Sequence, residues 1–107
     1  MALERMTYDV TLQMPKSEQF GLTNQMRRAA ASIPANLAEG YGRNTLLDYI
    51  TFLRIARGSL AEVMAFVKLA SDLNMIPTSV GYQGFLNETD RVLQGLIKSL
   101  ERKKATG

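Results

Sequence analysis

The chain contains no cysteine, no histidine and no tryptophan. Without cysteine it has no disulfide and no thiolate nucleophile, which fits a reducing compartment. Without histidine it lacks the commonest general acid-base group and metal ligand. A carboxylate-bridged metal bundle needs inward Glu-x-x-His pairs, so that chemistry is excluded and neither metal nor cofactor is expected. Ser32 and Ser59 have no imidazole to activate them, and Ser32 is expected to bond a nearby carbonyl of its own helix instead. No apolar run approaches the roughly 18 residues of a membrane span, and no charged-then-apolar leader precedes a small-residue cleavage site. A soluble, cytoplasmic, non-enzymatic protein is the expectation, with no membrane partner.

What is present is apolar mass and segregated charge. Hydrophobic residues make up 46% of the 107 positions, enough for one core in one domain spanning 1–107. The net charge of +3 is unevenly spread: residues 1–26 carry −1, 27–57 carry +3, 58–97 carry −2 and 98–107 carry +3. Positive charge therefore gathers in the Arg27–Arg57 stretch and in the tail Lys98, Arg102, Lys103, Lys104. Such patches suit an anionic partner or serve as solvated faces.

Helical spacing dominates, and no alternating strand pattern competes with it. Four helices are expected at about 2–13, 20–38, 45–73 and 79–103. The first carries Leu3, Met6, Val10 and Met14 and ends at Pro15. The second buries Leu22, Met26, Ala29, Ile33 and Leu37. Pro34 lies inside it and predicts a kink, because it cannot donate to the carbonyl of Ala30. Gly40 is expected as the left-handed residue that stops this helix, with Tyr41 as its hydrophobic follower.

Helix three is capped by Asn44 or Thr45 and carries two apolar stripes. One is Leu46, Ile50, Leu53, Leu60, Val63 and Val67. The other is Phe52, Ile55, Phe66, Leu69 and Leu73, interrupted by Ser59 and Glu62. A third line, Gly58, Ala61 and Ala65, is small enough to admit another helix. One stripe suffices for a surface helix, so helix three should be central and partly covered by another subunit. Asn74-Met-Ile-Pro77 breaks the chain and Thr78 or Ser79 restarts it. The fourth helix carries Phe85, Leu86, Val92, Leu93, Leu96, Ile97 and Leu100. Short connections give an all-α, antiparallel up-down-up-down four-helix bundle.

Candidate functional residues are basic. Arg27 and Arg28 are expected on the outer face of helix two. With Arg43, Arg54, Lys103 and Lys104 they would form a surface for phosphates, with little sequence preference in the absence of a recognition helix, an RNA-binding aromatic motif or a zinc site. The Gly40-Tyr41-Gly42-Arg43-Asn44-Thr45 turn could present backbone N–H groups to a phosphate, or simply cap and turn. It lacks the Gly-Lys-Ser/Thr ending of a Walker loop. Arg57 and Glu62 lie beside the apolar stripes, so Arg57 is expected in an internal ion pair with Glu39 or Glu62, buttressed by Ser59. The alternative to nucleic-acid binding is a structural protein–protein assembly module whose arginines are merely solvated.

Three ordered blocks are distinctive: Pro15-Lys-Ser-Glu-x-x-Gly-Leu-Thr-x-Gln-x-Arg-Arg-Ala, Ser32-Ile-Pro-Ala-Asn-x-Ala-Glu-Gly-Tyr-Gly-Arg43, and Phe52-Leu-x-x-Ala-Arg-Gly-Ser-Leu-Ala-Glu62. They resemble the four-helix-bundle family of bacterial 23S rRNA intervening-sequence proteins, which includes the accessory variability proteins of diversity-generating retroelements. The resemblance runs from Met14 onward, with helix four similar in pattern only. It implies a ring-like homo-oligomer, a pentamer, and RNA or DNA bound through a basic surface. In the retroelement branch it also implies a reverse-transcriptase partner. Arg27, Arg28 and Arg43 match the family's basic positions, and Glu39, Arg57, Ser59 and Glu62 match polar positions that look structural. Helix one is shorter than the family's, which predicts an uncovered stretch of the helix-three seam and leaves open whether Met1 is the natural start of that helix.

Overall fold

The computed structural model describes residues 2–18, 21–76 and 80–106. Four helices follow in order: α1 (Ala2–Thr11), α2 (Leu22–Tyr41), α3 (Leu46–Asp72) and α4 (Val80–Thr106). A short 3-10 turn, Lys16–Glu18, lies between α1 and α2. The expected helix starts at Phe20 and Ser79 fall outside the described residues, as does Thr78.

The packing is a square. Neighbours α1–α2, α2–α3, α3–α4 and α1–α4 touch, while among the described residues the diagonal pairs do not. The directions follow from the cross-links. Ser32 faces Ser59 and Gly40 faces Phe52, so α2 and α3 are antiparallel. Arg57 meets Asp90 and Arg54 meets Glu101, so α3 and α4 are antiparallel too. The chain is thus an all-α up-down bundle, elongated to 50 × 23 × 18 Å.

The first stripe of α3 is the one that goes inside. Ile50, Leu53, Ala56, Leu60 and Val63 are at most 1% exposed, packed with Met26, Ala30 and Ile33 of α2 and with Tyr82, Leu86, Leu93 and Ile97 of α4. Each large side chain there contributes about 1.5–3 kcal/mol of burial. The second stripe stays largely out: Ile55 is 46% exposed, Leu69 47% and Leu73 54%. The short α1 does not bare the α3 seam, contrary to the expectation, because Leu3 is fully buried and the α3 side chains beyond its reach are closed over by partly buried neighbours such as Leu37, Leu46, Leu96 and Leu100.

Hydroxyls, absent from any count of hydrophobes, complete the α1 contact. Thr7 and Thr11 share the inward face with Leu3 at four-residue spacing, and all three are buried. The Thr7 hydroxyl donates to the Leu3 carbonyl at 2.9 Å. It has one proton, so the buried Tyr82 hydroxyl, 2.6 Å away, is the donor in their mutual bond. This bond ties α1 to α4.

Helix ends differ from expectation for local reasons. α1 stops at Thr11 and unwinds through tighter bonds, Gln13 N–H to Val10 O and Met14 N–H to Thr11 O, before Pro15. α2 runs on through Pro34 and past Gly40 to Tyr41. Gly40 is buried inside the helix, its following Tyr41 is 83% exposed, and no described glycine has positive φ. The left-handed residue is instead Asn74, φ 57°, after α3. There the Met75 N–H bonds Ala70 O and the Asn74 N–H bonds Ser71 O, a Schellman close. At the front of α3 the cap is Thr45, whose hydroxyl accepts the Asp48 N–H at 3.1 Å.

Candidate nucleic-acid interface

The basic side chains do not form one face. Arg27 is drawn inward rather than lying free on the outer surface of α2. Its Nε donates to the Thr11 hydroxyl at 2.7 Å and its guanidinium stacks 4.1 Å from the Tyr8 ring centroid. Both contacts hold α1 against α2, so Arg27 serves the fold. Arg28, next along the helix, is exposed and has no ion pair among the described residues.

Arg43 lies at the α2–α3 turn. Its Nη2 meets Glu39 Oε1 at 2.7 Å and its guanidinium stacks 4.9 Å from the Phe52 ring. The turn does not read as a phosphate cradle. Its hollow of about 500 Å³ is lined by Glu39 and Asp48 as well as Arg43, Asn44 and Thr45. Asp48 already supplies negative charge in the first turn of α3, where a phosphate would have to compete with it.

Arg54 and Arg57 turn toward α4. Arg54 Nη2 is 2.6 Å from Glu101 Oε2, and Arg57 Nε is 3.0 Å from Asp90 Oδ1. Asp90 also accepts from Gln94 Nε2 at 3.0 Å. The partner of Arg57 is therefore neither Glu39 nor Glu62, and the pair is not internal: the arginine side chain is 44% exposed. Glu39 and Glu62 both face solvent, Glu39 paired with Arg43 and Glu62 without an ion-pair partner among the described residues. Ser59 bonds Ser32 across the α2–α3 contact at 2.9 Å, and Asn36 Nδ2 donates to both the Ser32 hydroxyl and the Ser32 carbonyl. Ser32 thus reaches across to α3, and accepts from Asn36 of its own helix, instead of bonding a carbonyl there.

What the fold does gather is a basic end. Leu47, Ile50 and Arg54 of α3 share a hollow of about 260 Å³ with Glu101, Lys104 and Ala105 of α4, so the start of α3 and the finish of α4 lie together. Lys103 and Lys104 stand exposed in the last turn of α4, with Lys98 and Arg102 exposed just before them. Cations there also complement the negative end of the helix dipole. Beside this end runs a groove of about 890 Å³ between α3 and α4, with Arg54, Arg57 and Lys98 among its walls and Asp90 and Glu101 opposing them.

Asp90 was not legible as the partner of Arg57, because the two are 33 residues apart in sequence and meet only through the α3–α4 register. Among the described residues no group of three or more His, Cys, Asp or Glu is placed to hold a metal ion. Among them, too, no helix is long and apolar enough to cross a membrane.

The sequence model of the 23S rRNA-intervening sequence protein family matches residues 1–98. That span takes in α1, α2, α3 and most of α4, so the short first helix falls within the match. No curated protein matches the chain.

Proposed function

Starting from the fact that the chain belongs to the 23S rRNA-intervening sequence protein family, we propose that it is a non-enzymatic accessory protein that binds RNA or DNA through the basic end of its bundle. The observation that carries this reading is the convergence of the α4 terminus with the start of α3. It sets Lys104 in one hollow with Arg54 and Lys98 in the groove beside it, with Arg102 and Lys103 exposed at the same end of α4 and Glu101 the one acidic side chain of the last ten residues. Arg43, at the turn leading into α3, stands at the same end. Lysines without ion pairs at a helix terminus contact phosphates as point charges, and no base-reading element accompanies them. Binding is therefore led by the backbone and weak in sequence preference. Self-association repeats the basic end, so several phosphates are engaged at once.

The test is fluorescence anisotropy with a structured RNA and with duplex DNA, titrated between about 50 and 200 mM salt. Affinity falls steeply with salt, by close to 0.9 log units per log salt for each phosphate neutralised. The triple substitution Arg102→Gln, Lys103→Gln, Lys104→Gln flattens that slope while leaving the fold intact, since all three are exposed. Arg28→Gln, away from the basic end, leaves the slope unchanged. Absence of binding at low salt, or a tail variant as salt-sensitive as the wild type, overturns the reading.

A further inference from the structure

Tyr41 is the most exposed large hydrophobic side chain among the described residues, at 83%. The helix does not need it as a cap, because Gly42 closes α2 with its N–H on Ala38 O at 3.2 Å. The Arg43 N–H bonds Gly40 O at 3.1 Å, and Gly40 is set close against Phe52, so the backbone that carries the ring is fixed. Arg43, two residues on, is held in place as well. Phe52 covers one face of its guanidinium at 4.9 Å and Glu39 accepts from Nη2 at 2.7 Å, yet the side chain is still 44% exposed. The turn thus offers two flat groups on a rigid support. Resting on the basic-end reading, we propose that this turn holds unpaired bases of a single-stranded or looped nucleic acid, stacked on the Tyr41 ring and the Arg43 plane, while the α4 lysines hold its phosphates.

Charge divides the labour. Glu39 beside Arg43 and Asp48 in the same hollow make the turn a poor phosphate site. Neither carboxylate opposes a neutral base, which is held by its face on an aromatic ring or a guanidinium plane. Lys103 and Lys104 have no ion pair among the described residues, so their charges are free for phosphate. The two halves of the site share one end of the bundle. α2 and α4 stand on a diagonal of the square, about 11–14 Å apart at the usual spacing of packed helices. Between them lies the start of α3, where Leu47, 51% exposed, shares a hollow with Lys104. A strand laid over this end passes from the lysines across Leu47 to Tyr41.

A base within a duplex has both faces covered by its neighbours, so only splayed, unpaired bases can use the ring. Every base has a face, so stacking adds affinity without sequence preference, in keeping with the absence of an element that reads base edges.

The test compares oligothymidylate with a duplex of the same phosphate count by fluorescence anisotropy. Tyr41→Ala weakens the single strand about five- to hundredfold, as loss of one base–aromatic stack requires, and leaves the duplex affinity unchanged. The salt slope stays where it was, because no phosphate contact is removed. Tyr41→Phe keeps wild-type binding, and Arg43→Lys, which retains the charge but not the plane, weakens the single strand alone. The melting temperature of Tyr41→Ala matches the wild type, since the ring is exposed. The chain has no tryptophan, so Tyr41→Trp supplies a single indole whose emission oligothymidylate quenches and the duplex does not. A wild type that binds neither probe removes the basic-end reading and this proposal with it. Binding that Tyr41→Ala leaves untouched on both probes or weakens equally on both, or an indole unquenched in the bound state, overturns the stacking proposal and leaves the basic end standing.

Discussion

Gly40→Ala tests the closest approach made at any described glycine. A Cβ on Gly40 would lie 2.8 Å from the Cβ of Phe52 and 3.1 Å from Cδ1 of Tyr49. Ordinary carbon–carbon contacts sit near 3.5–4.0 Å. The Phe52 Cβ is fixed to the α3 backbone, so no rotamer change can move it aside. Relief requires α2 and α3 to separate by several tenths of an ångström or more along a contact that also holds the Ser32–Ser59 bond. Overpacking of this kind costs about 1–3 kcal/mol. The gain from replacing a helical glycine by alanine offsets about 1 kcal/mol of it. The net expectation is a loss of about 0–2 kcal/mol, and Gly40→Val, with two further methyls and no propensity gain over alanine, loses more. Gly42→Ala is the control. Its added Cβ would meet only Ala38 O and Glu39 O, both at 3.7 Å, and its φ of −80° suits any residue. That substitution is neutral or stabilises by about 0.4–1 kcal/mol through the unfolded state. Urea unfolding followed by far-ultraviolet circular dichroism measures all three variants. A Gly40→Val protein as stable as the wild type, or Gly42→Ala costing more than Gly40→Ala, would refute the close-approach argument.

Arg57→Ala lowers stability by no more than about 1 kcal/mol, because its pair with Asp90 is partly exposed and screened; chemical denaturation giving a loss of several kcal/mol would restore the internal-pair expectation. Tyr82→Phe removes the donor to Thr7 and costs about 0.5–1.5 kcal/mol, with faster amide exchange in α1 as the local signature. Burial raises the Tyr82 hydroxyl above its ordinary value of 10.0, against a smaller lowering by the Thr7 bond. The unfolded chain therefore loses that proton first. The contribution is fully present below pH 10.0 and is lost as pH climbs toward the raised folded value. Unfolding midpoints between about pH 9 and 11 fall more steeply for the wild type than for Tyr82→Phe, and identical profiles would contradict this. Arg27→Gln releases α1 from both Thr11 and the Tyr8 ring, costing about 1 kcal/mol. Hydrogen exchange localises the loss to residues 2–11, whereas Arg28→Gln leaves exchange there unchanged.

Sequence alone determined the elements. Helical periodicity places Ile50, Leu53, Leu60, Val63 and Val67 on one side of α3, and that is the side found buried. Thr45 and Asn74-Met-Ile reveal where that helix begins and ends, because capping and left-handed closure are local chemistry within a few residues. Tertiary structure decided everything that depends on which residue arrives opposite. Gly40 reads locally as a helix stop, yet it is a helix interior residue kept small by Phe52. Thr7, Thr11 and Tyr82 stand outside the apolar stripes read from the sequence, yet their hydroxyls satisfy one another or nearby carbonyls and so can be buried at little cost. Arg27 and Arg28 are adjacent and chemically identical, but 100° of helix rotation sets one against α1 and leaves the other in solvent. Of two apolar stripes on α3, composition could not say which would face inward. The choice was made by the helices that had to share one core, and it left Ile55, Leu69 and Leu73 of the other stripe outside.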